Sequence, residues 1–171
     1  ILIQEKQKGM GDAVYQIKKS NFIDNKSQIL LVWGDLISPQ IKTINRLVRT
    51  HFLHKNTFSL ISKKVKNPYT IVKRDQNNRV LEIIETKDNK IKCNYGERDI
   101  GLFIFKLNPT LETLLRYISE KSLLSSKEIN FLPIIKNLVD HSYKVECICC
   151  AEEKDTLSFN SINDIKKISN L

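Results

Sequence analysis

A chain of 171 residues is long enough to bury one sizeable core, and a single domain is expected. Its formal net charge of +9 comes from scattered lysines, paired only at Lys18-Lys19, Lys63-Lys64 and Lys166-Lys167 and without interleaved aromatics. That argues against nucleic acid as a partner and suits phosphorylated small molecules. No apolar window approaches the length of a transmembrane helix and no signal peptide is visible, so a cytoplasmic protein with no membrane partner is expected. Nothing in the sequence bears on oligomeric state.

Residues 1–6 read as a strand, and because the chain opens inside it at Ile1, an upstream start is expected. Asp12 to Phe22 has helical spacing, with Val14, Ile17 and Phe22 on one side. The apolar run Ile29–Trp33 reads as a buried strand that stops at Gly34-Asp35. Pro39 opens a longer helix whose Ile41, Ile44, Leu47, Val48 and Phe52 fit the 3.6-residue period. Thr57–Lys64 returns to strand, with Phe58, Leu60 and Ser62 on one face. Tyr69–Arg74, Arg79–Thr86 and Ile100–Lys106 read as successive strands, the first two joined by a turn at Asn77-Asn78. Helices follow from Pro109 through Glu120 and from about Asn130 to His141, then a strand at Tyr143–Cys150 and a closing helix at Ser161–Asn170. The order βαβαβ, a β-rich insertion at about 66–106, then ααβα predicts an α/β fold: a Rossmann-like, mixed, mainly parallel sheet flanked by helices.

In open α/β sheets, ligands bind outside the strand ends, which is where Ile29–Trp33 delivers Asp35. Gly34 beside it leaves space, so Asp35 suits a hard cation that takes one or two carboxylates plus waters and phosphates, provided a second oxygen ligand stands opposite. The Gly9-Met10-Gly11 turn opens a helix and lets backbone approach a nucleotide. Four cysteines, Cys93, Cys147, Cys149 and Cys150, form no C-x-x-C pair and read as small apolar filler. His51 and His54 are expected to be solvated surface histidines, Asp12 a first-turn acid favoured by the helix dipole, and Glu128 a helix-start acid.

The ordered motifs resemble the sugar-1-phosphate nucleotidyltransferases, and among them the uridylyltransferase domain that makes UDP-N-acetylglucosamine. Gln7-Lys8-Gly9-Met10-Gly11-Asp12-Ala13 is similar to that family's Gln-Leu-Gly-Thr-Gly-His-Ala turn, and Trp33-Gly34-Asp35 to its Tyr-Gly-Asp motif. Ile84-Glu85-Thr86-Lys87-Asp88 resembles a Val-Glu-x-Lys-Asp segment, Asp99-Ile100-Gly101 an Asn-Thr-Gly segment, and Ile162-Asn163-Asp164-Ile165 a Val-Asn-x-x-x-x-Leu pattern. The resemblance implies a nucleotide-diphospho-sugar transferase fold acting on a nucleoside triphosphate, UTP favoured, and a sugar 1-phosphate, with Mg²⁺ and release of pyrophosphate. It implies Asp35 and Asn163 as metal ligands, with Asp35 catalytic. Gln7, Gly9, Met10, Gly11 and Gly34 would hold the nucleotide, and Glu85, Asp99 and Thr70 the sugar.

Three positions depart from the pattern: Met10 replaces a polar residue, Thr70 a glycine and Asp99 an asparagine. The family's glycine-rich phosphate loop precedes the Gln-x-Gly turn, and residues 1–6 cannot supply it. The expectation is therefore one partial domain over residues 1–171, its first strand and phosphate loop missing, and inactive alone. Asp35 and Asn163 are expected within about 6 Å of each other, given metal–oxygen distances near 2.1 Å. Gly9, Gly11, Gly34, Glu85 and Asp99 are expected to line one cleft. The alternatives are a non-catalytic nucleotide- or sugar-nucleotide-binding module, and a transferase acting on another phosphorylated alcohol.

Overall fold

Residues 102–105 alternate two apolar sets, so a strand made of them must be covered on both faces. The computed structural model, which describes residues 1–21, 23–86, 91–123 and 128–159, builds its centre that way. Its elements are α1 (Met10–Tyr15) with a 3₁₀ turn Gln16–Lys19, β1 (Gln28–Val32), α2 (Ile41–Leu53), β2 (Phe58–Lys66), β3 (Thr70–Arg74) and β4 (Val80–Glu85). They continue with β5 (Tyr95–Lys106), α3 (Leu107–Leu123), α4 (Ile134–Asp140), β6 (Val145–Cys149) and a short 3₁₀ turn, Lys154–Thr156. No helix among the described residues is long and apolar enough to cross a membrane.

The central sheet has the order β1-β5-β2-β6. β5 runs antiparallel to both β1 and β2, whereas β2 and β6 are parallel. Three strands thus point one way and β5 alone opposes them, the mixed α/β sheet that the element order predicts. Within the segment read as an insertion, β3 and β4 form a separate two-stranded sheet, while β5 belongs to the central one.

Phe58, Leu60, Phe103 and Phe105 pack against α1, α3, α4 and the turn before α4 through Val14, Leu114, Phe131, Ile134, Ile135 and Leu138. On the other face Ile61, Ile100, Leu102 and Ile104 meet Leu47 of α2 and Leu36. Phe58 and Phe105 stack with ring centroids 5.6 Å apart and an interplanar angle of 7°. Each such buried ring stabilises the fold by roughly 1.5–3 kcal/mol relative to exposure.

The structure corrects four expectations. Residues 1–6 form no strand: no described strand pairs with them, and Ile1, Leu2 and Ile3 run exposed. The first helix is α only to Tyr15 and tightens to a 3₁₀ turn ending at Lys19. The last described helix begins at Ile134, because 131–133 form a turn closed by Ile134 N–H to Phe131 O. His51 is buried, not solvated. Thr43, Leu47 and His51 are spaced by four on α2, so all three share its inward stripe, at 3%, 0% and 1% exposure. The helix expected at Ser161–Asn170 lies outside the described residues.

The His51 imidazole is satisfied by Ser59 Oγ at Nδ1 and Gln28 Oε1 at Nε2, both at 2.9 Å. With the ring proton on Nε2 donating to the Gln28 carbonyl, Nδ1 accepts from the Ser59 hydroxyl. Burial, and next the Lys106 charge, lower its pKa to about 4 against the opposing pull of Glu146.

Candidate active site

Beyond Val32 the chain leaves the sheet in a short turn. Trp33 N–H donates to Gly101 O at 2.9 Å and Leu36 N–H to Trp33 O at 3.0 Å. A Cβ at Gly34 would meet nothing within 4 Å, so the space over the turn is open. A C-terminal strap pins the turn from behind: Ile37 N–H donates to Leu157 O at 3.0 Å, Phe159 N–H to Asp35 O at 3.1 Å, and Leu36 bridges Ser158. These contacts all use backbone. The Asp35 carboxylate has no hydrogen-bond or ion-pair partner among the described residues and lines a cleft of about 790 Å³.

The opposite wall comes from the β3–β4 hairpin, which contributes Tyr69, Thr70 and Glu85. Asp99 of β5 sits in the cleft wall at 1% exposure. Thr70 Oγ1 donates to its Oδ1 at 2.6 Å, and Gly101 N–H to its Oδ2 at 3.1 Å. Burial raises the Asp99 carboxyl above its ordinary range, against the pull of these two hydrogen bonds. α1 closes the cleft with Met10, Ala13 and Val14, an apolar wall suited to a flat ring.

The β5 backbone bends beside this site. Ser62 pairs with Asp99 and Leu60 with Phe103, so β5 carries extra residues there, and Gly101 takes φ +78°. A Cβ on Gly101 would lie 2.3 Å from Trp33 Cδ1. The bulge and the indole therefore require each other, and together they set where the Asp35 turn begins.

No protein-family profile matches the chain. Curated relatives do. The bifunctional protein GlmU of Buchnera aphidicola is 31% identical over 161 residues, covering 88% of this chain and 32% of that protein. The GlmU of Clostridium perfringens SM101 is 25% identical over 172 residues, covering 99% of this chain and 37% of that protein. A solved nucleoside-diphosphate-sugar pyrophosphorylase from Vibrio cholerae RC9 matches the fold with a TM-score of 0.70 at 13% identity, covering 99% of this chain and 68% of that one. By sequence the chain is similar to part of the GlmU proteins, and its fold is that of a nucleoside-diphosphate-sugar pyrophosphorylase. It spans about a quarter to a third of the length of the curated relatives it matches.

Six of the residues singled out from the sequence converge on the cleft: Met10, Gly34, Asp35, Thr70, Glu85 and Asp99. Gln7, Gly9 and Gly11 are not among its lining residues. The two glycines meet residues 128–130 instead, where a Cβ would come within 2.6 Å of Ile129 O at Gly9 and 2.7 Å of Ile129 Cγ2 at Gly11. Gly11 N–H donates to Ile129 O and Ile129 N–H to Lys8 O, each at 2.8 Å. The Gly-x-Gly spacing thus seats one backbone against another. Asn163 lies outside the described residues.

No group of three or more His, Cys, Asp or Glu side chains suited to a metal occurs among the described residues. Mg²⁺ does not need one. It is commonly held by one or two carboxylates with waters and substrate phosphates, and an unpartnered carboxylate at an open cleft fits that donor set. Sequence reasoning missed Tyr69, Arg98 and Ser158 as parts of the site. Tyr69 and Arg98 carry no motif, and Ser158 arrives only because the strap folds back over the Asp35 turn.

Proposed function

We propose that this cleft joins a nucleoside triphosphate, UTP favoured, to a sugar 1-phosphate with release of pyrophosphate, in a Mg²⁺-dependent reaction. The observation that carries the reading is the convergence of Asp35, Glu85 and Thr70, from separate segments of the chain, on one cleft in a chain whose curated relatives are GlmU proteins. An oxygen of the sugar phosphate attacks the α-phosphorus as the bond to the β-phosphate oxygen breaks, and pyrophosphate leaves with that electron pair. Such transfer asks a protein for alignment and charge stabilisation, not for a covalent intermediate.

Asp35 holds the cation, with Asn163 as its second protein ligand. The cation would offset charge on the phosphates during the transfer. Glu85 accepts hydrogen bonds from sugar hydroxyls and Thr70 faces the same sugar, while Asp99 fixes Thr70 in place. Met10 and the α1 wall stack against the base, with Gly9 and Gly11 setting the position of α1 and Gly34 leaving room for the ligand.

The test is pyrophosphate release by the protein that carries this chain, with UTP and the other nucleoside triphosphates, several sugar 1-phosphates, and Mg²⁺ or EDTA. Release that requires both substrates and is abolished by EDTA is expected. Binding of a nucleotide sugar without any release would make the chain a binding module, and neither binding nor release would overturn the reading.

A further inference from the structure

The charges around the cleft are lopsided for a phosphate-handling site. Asp35, Glu85 and Asp99 place three carboxylates in its lining, and no lysine or arginine is among the described lining residues. A dianionic phosphate approaching these walls would be repelled unless a cation met it. A basic chain, at +9 overall, has kept its cations out of the very cleft that should receive anions.

One guanidinium stands at the edge. A small recess shares Trp33, Asp35 and Tyr69 with the cleft and is walled by Arg98 of β5 and Ser158 of the strap. The Arg98 guanidinium lies over the Tyr69 ring, 4.6 Å from its centroid. It makes no ion pair with a carboxylate among the described residues, although Asp35 lines the same recess. The ring contact holds the guanidinium at the recess, and its fork of N–H donors is the kind that meets a phosphate in bidentate fashion.

We propose that Arg98, oriented by Tyr69, is a phosphate-binding residue of this cleft, meeting a phosphate group of the bound substrate beside Asp35. The inference rests on the proposed nucleotidyl-transfer reading. It adds a cationic contact that none of the sequence motifs contains. A lysine would not serve equally, because it offers a point charge without the planar fork of donors.

Trp33 is the chain's one tryptophan and lines both cleft and recess, so its emission reports occupancy without turnover. Wild type, Arg98→Met and Arg98→Lys are titrated with N-acetylglucosamine 1-phosphate, UTP, inorganic phosphate and unphosphorylated N-acetylglucosamine, with thermal melting to verify folding. Arg98→Met is expected to weaken binding of the sugar phosphate or of UTP by about 10–100-fold, the range for a hydrogen bond to a charged group. Binding of the unphosphorylated sugar should stay unchanged, and Arg98→Lys should fall between. Which of the two phosphate ligands loses affinity identifies the source of the bound group.

Unchanged affinity of both ligands for Arg98→Met, while wild type binds them, overturns this inference and leaves the nucleotidyl-transfer reading standing. No binding of either ligand by wild type overturns both. Tighter divalent-cation binding by Arg98→Met with phosphate affinity unchanged would make Arg98 a counter-ion of Asp35, and so also overturns it. Should Arg98→Met fail to fold, Arg98→Lys decides, and wild-type affinity in that variant overturns the proposal.

Discussion

Replacing Gly101 by alanine tests whether the β5 bulge really governs the approach to Asp35. At φ +78° an L-residue carries a strain of about 1–2 kcal/mol. The new Cβ would stand 2.3 Å from Trp33 Cδ1, 2.8 Å from Cγ and 3.0 Å from Cβ, so the clash involves the root of the side chain as well as the ring. The indole cannot simply swing aside. It packs edge-on against Phe103 and Phe131, with centroids 5.1 and 5.7 Å away. Forcing an extra methyl into such a core costs about 1–3 kcal/mol, and the two penalties together give about 2–5 kcal/mol. That is a large share of the roughly 5–15 kcal/mol that holds an ordinary domain folded. A urea melt followed by Trp33 emission reads both quantities at once. The midpoint should fall by the corresponding amount and the folded-state emission should shift, because the indole must move. Gly34→Ala is the control. Nothing lies within 4 Å of its Cβ position, so its stability should change by no more than about 0.5 kcal/mol. A Gly101→Ala protein that melts within about 0.5 kcal/mol of wild type with unaltered emission would refute the reasoning.

The Asp35→Asn variant should melt within about 0.5 kcal/mol of wild type, since the strap bonds the Asp35 backbone and not its carboxylate. Its Mg²⁺-dependent pyrophosphate release should fall about 10²–10³-fold, and wild-type turnover would remove Asp35 from the mechanism. Arg74 and Glu97 form a bidentate pair at 2.6 and 2.8 Å, with side chains only 18% and 9% exposed, and Arg74 also donates to Cys147 O. Arg74→Met should cost about 3–5 kcal/mol by denaturant melt, and pairing it with Glu97→Leu should recover much of the loss. Burial pushes the Glu97 carboxyl upward, but hydrogen bonds from Arg74 and Ser62 outweigh it and hold the group below the ordinary glutamate range. Its stabilisation is accordingly complete above the unfolded-state pKa and drains away as pH falls through the lower folded value, a loss that Glu97→Gln should not show. His51 titrates from about 4 in the fold and near 6.5 when unfolded, so the unfolded state binds more protons across that window. Stability should fall as pH drops from 6.5 towards 4, and His51→Gln should flatten this segment of the melting profile; an unchanged slope would place its cause elsewhere.

The strands and helices were legible where burial is periodic. Leu47 and its helical neighbours, and the alternating Leu102-Phe103-Ile104-Phe105, announce their elements because one period fits and the other does not. Asp35 was legible for a related reason: an apolar strand that halts at Gly-Asp exposes its acid at the sheet's end. Opacity began where partners are distant in sequence. No local pattern says that His51 will find Ser59 and Gln28, and a polar residue on a helix defaults to the surface until both ring nitrogens are accounted for. The Gly9 and Gly11 spacing carried a true message, close backbone approach, without naming what approaches. In the fold it is the 128–130 backbone. Ile1 to Ile3 have strand composition, yet a strand is a pairing and not a composition, and no described strand pairs with them.

The strap ties the candidate site to the stability of the fold. α2 begins at Gln40 and Ile41 without a side chain of its own to satisfy its first N–H groups. Asp155, buried and more than a hundred residues away in sequence, instead anchors the residue that precedes the helix and a side chain of its first turn. Its Oδ1 accepts from Gln40 N–H at 2.7 Å, and its Oδ2 from Thr43 Oγ1 at 2.9 Å and from Glu152 N–H at 2.8 Å. Burial works against the charged carboxylate, but these donors prevail and hold its pKa below the usual aspartate range. The same carboxylate therefore anchors the start of a helix and folds the strap, while an ion pair from Lys63 to Glu153 fastens the strap to β2. From there Leu157, Ser158 and Phe159 run along 35–37 and fix the turn by its backbone. The Asp35 carboxylate is thereby held in place with every hydrogen bond made by its neighbours or its own main chain, and the side chain itself is left to the cleft.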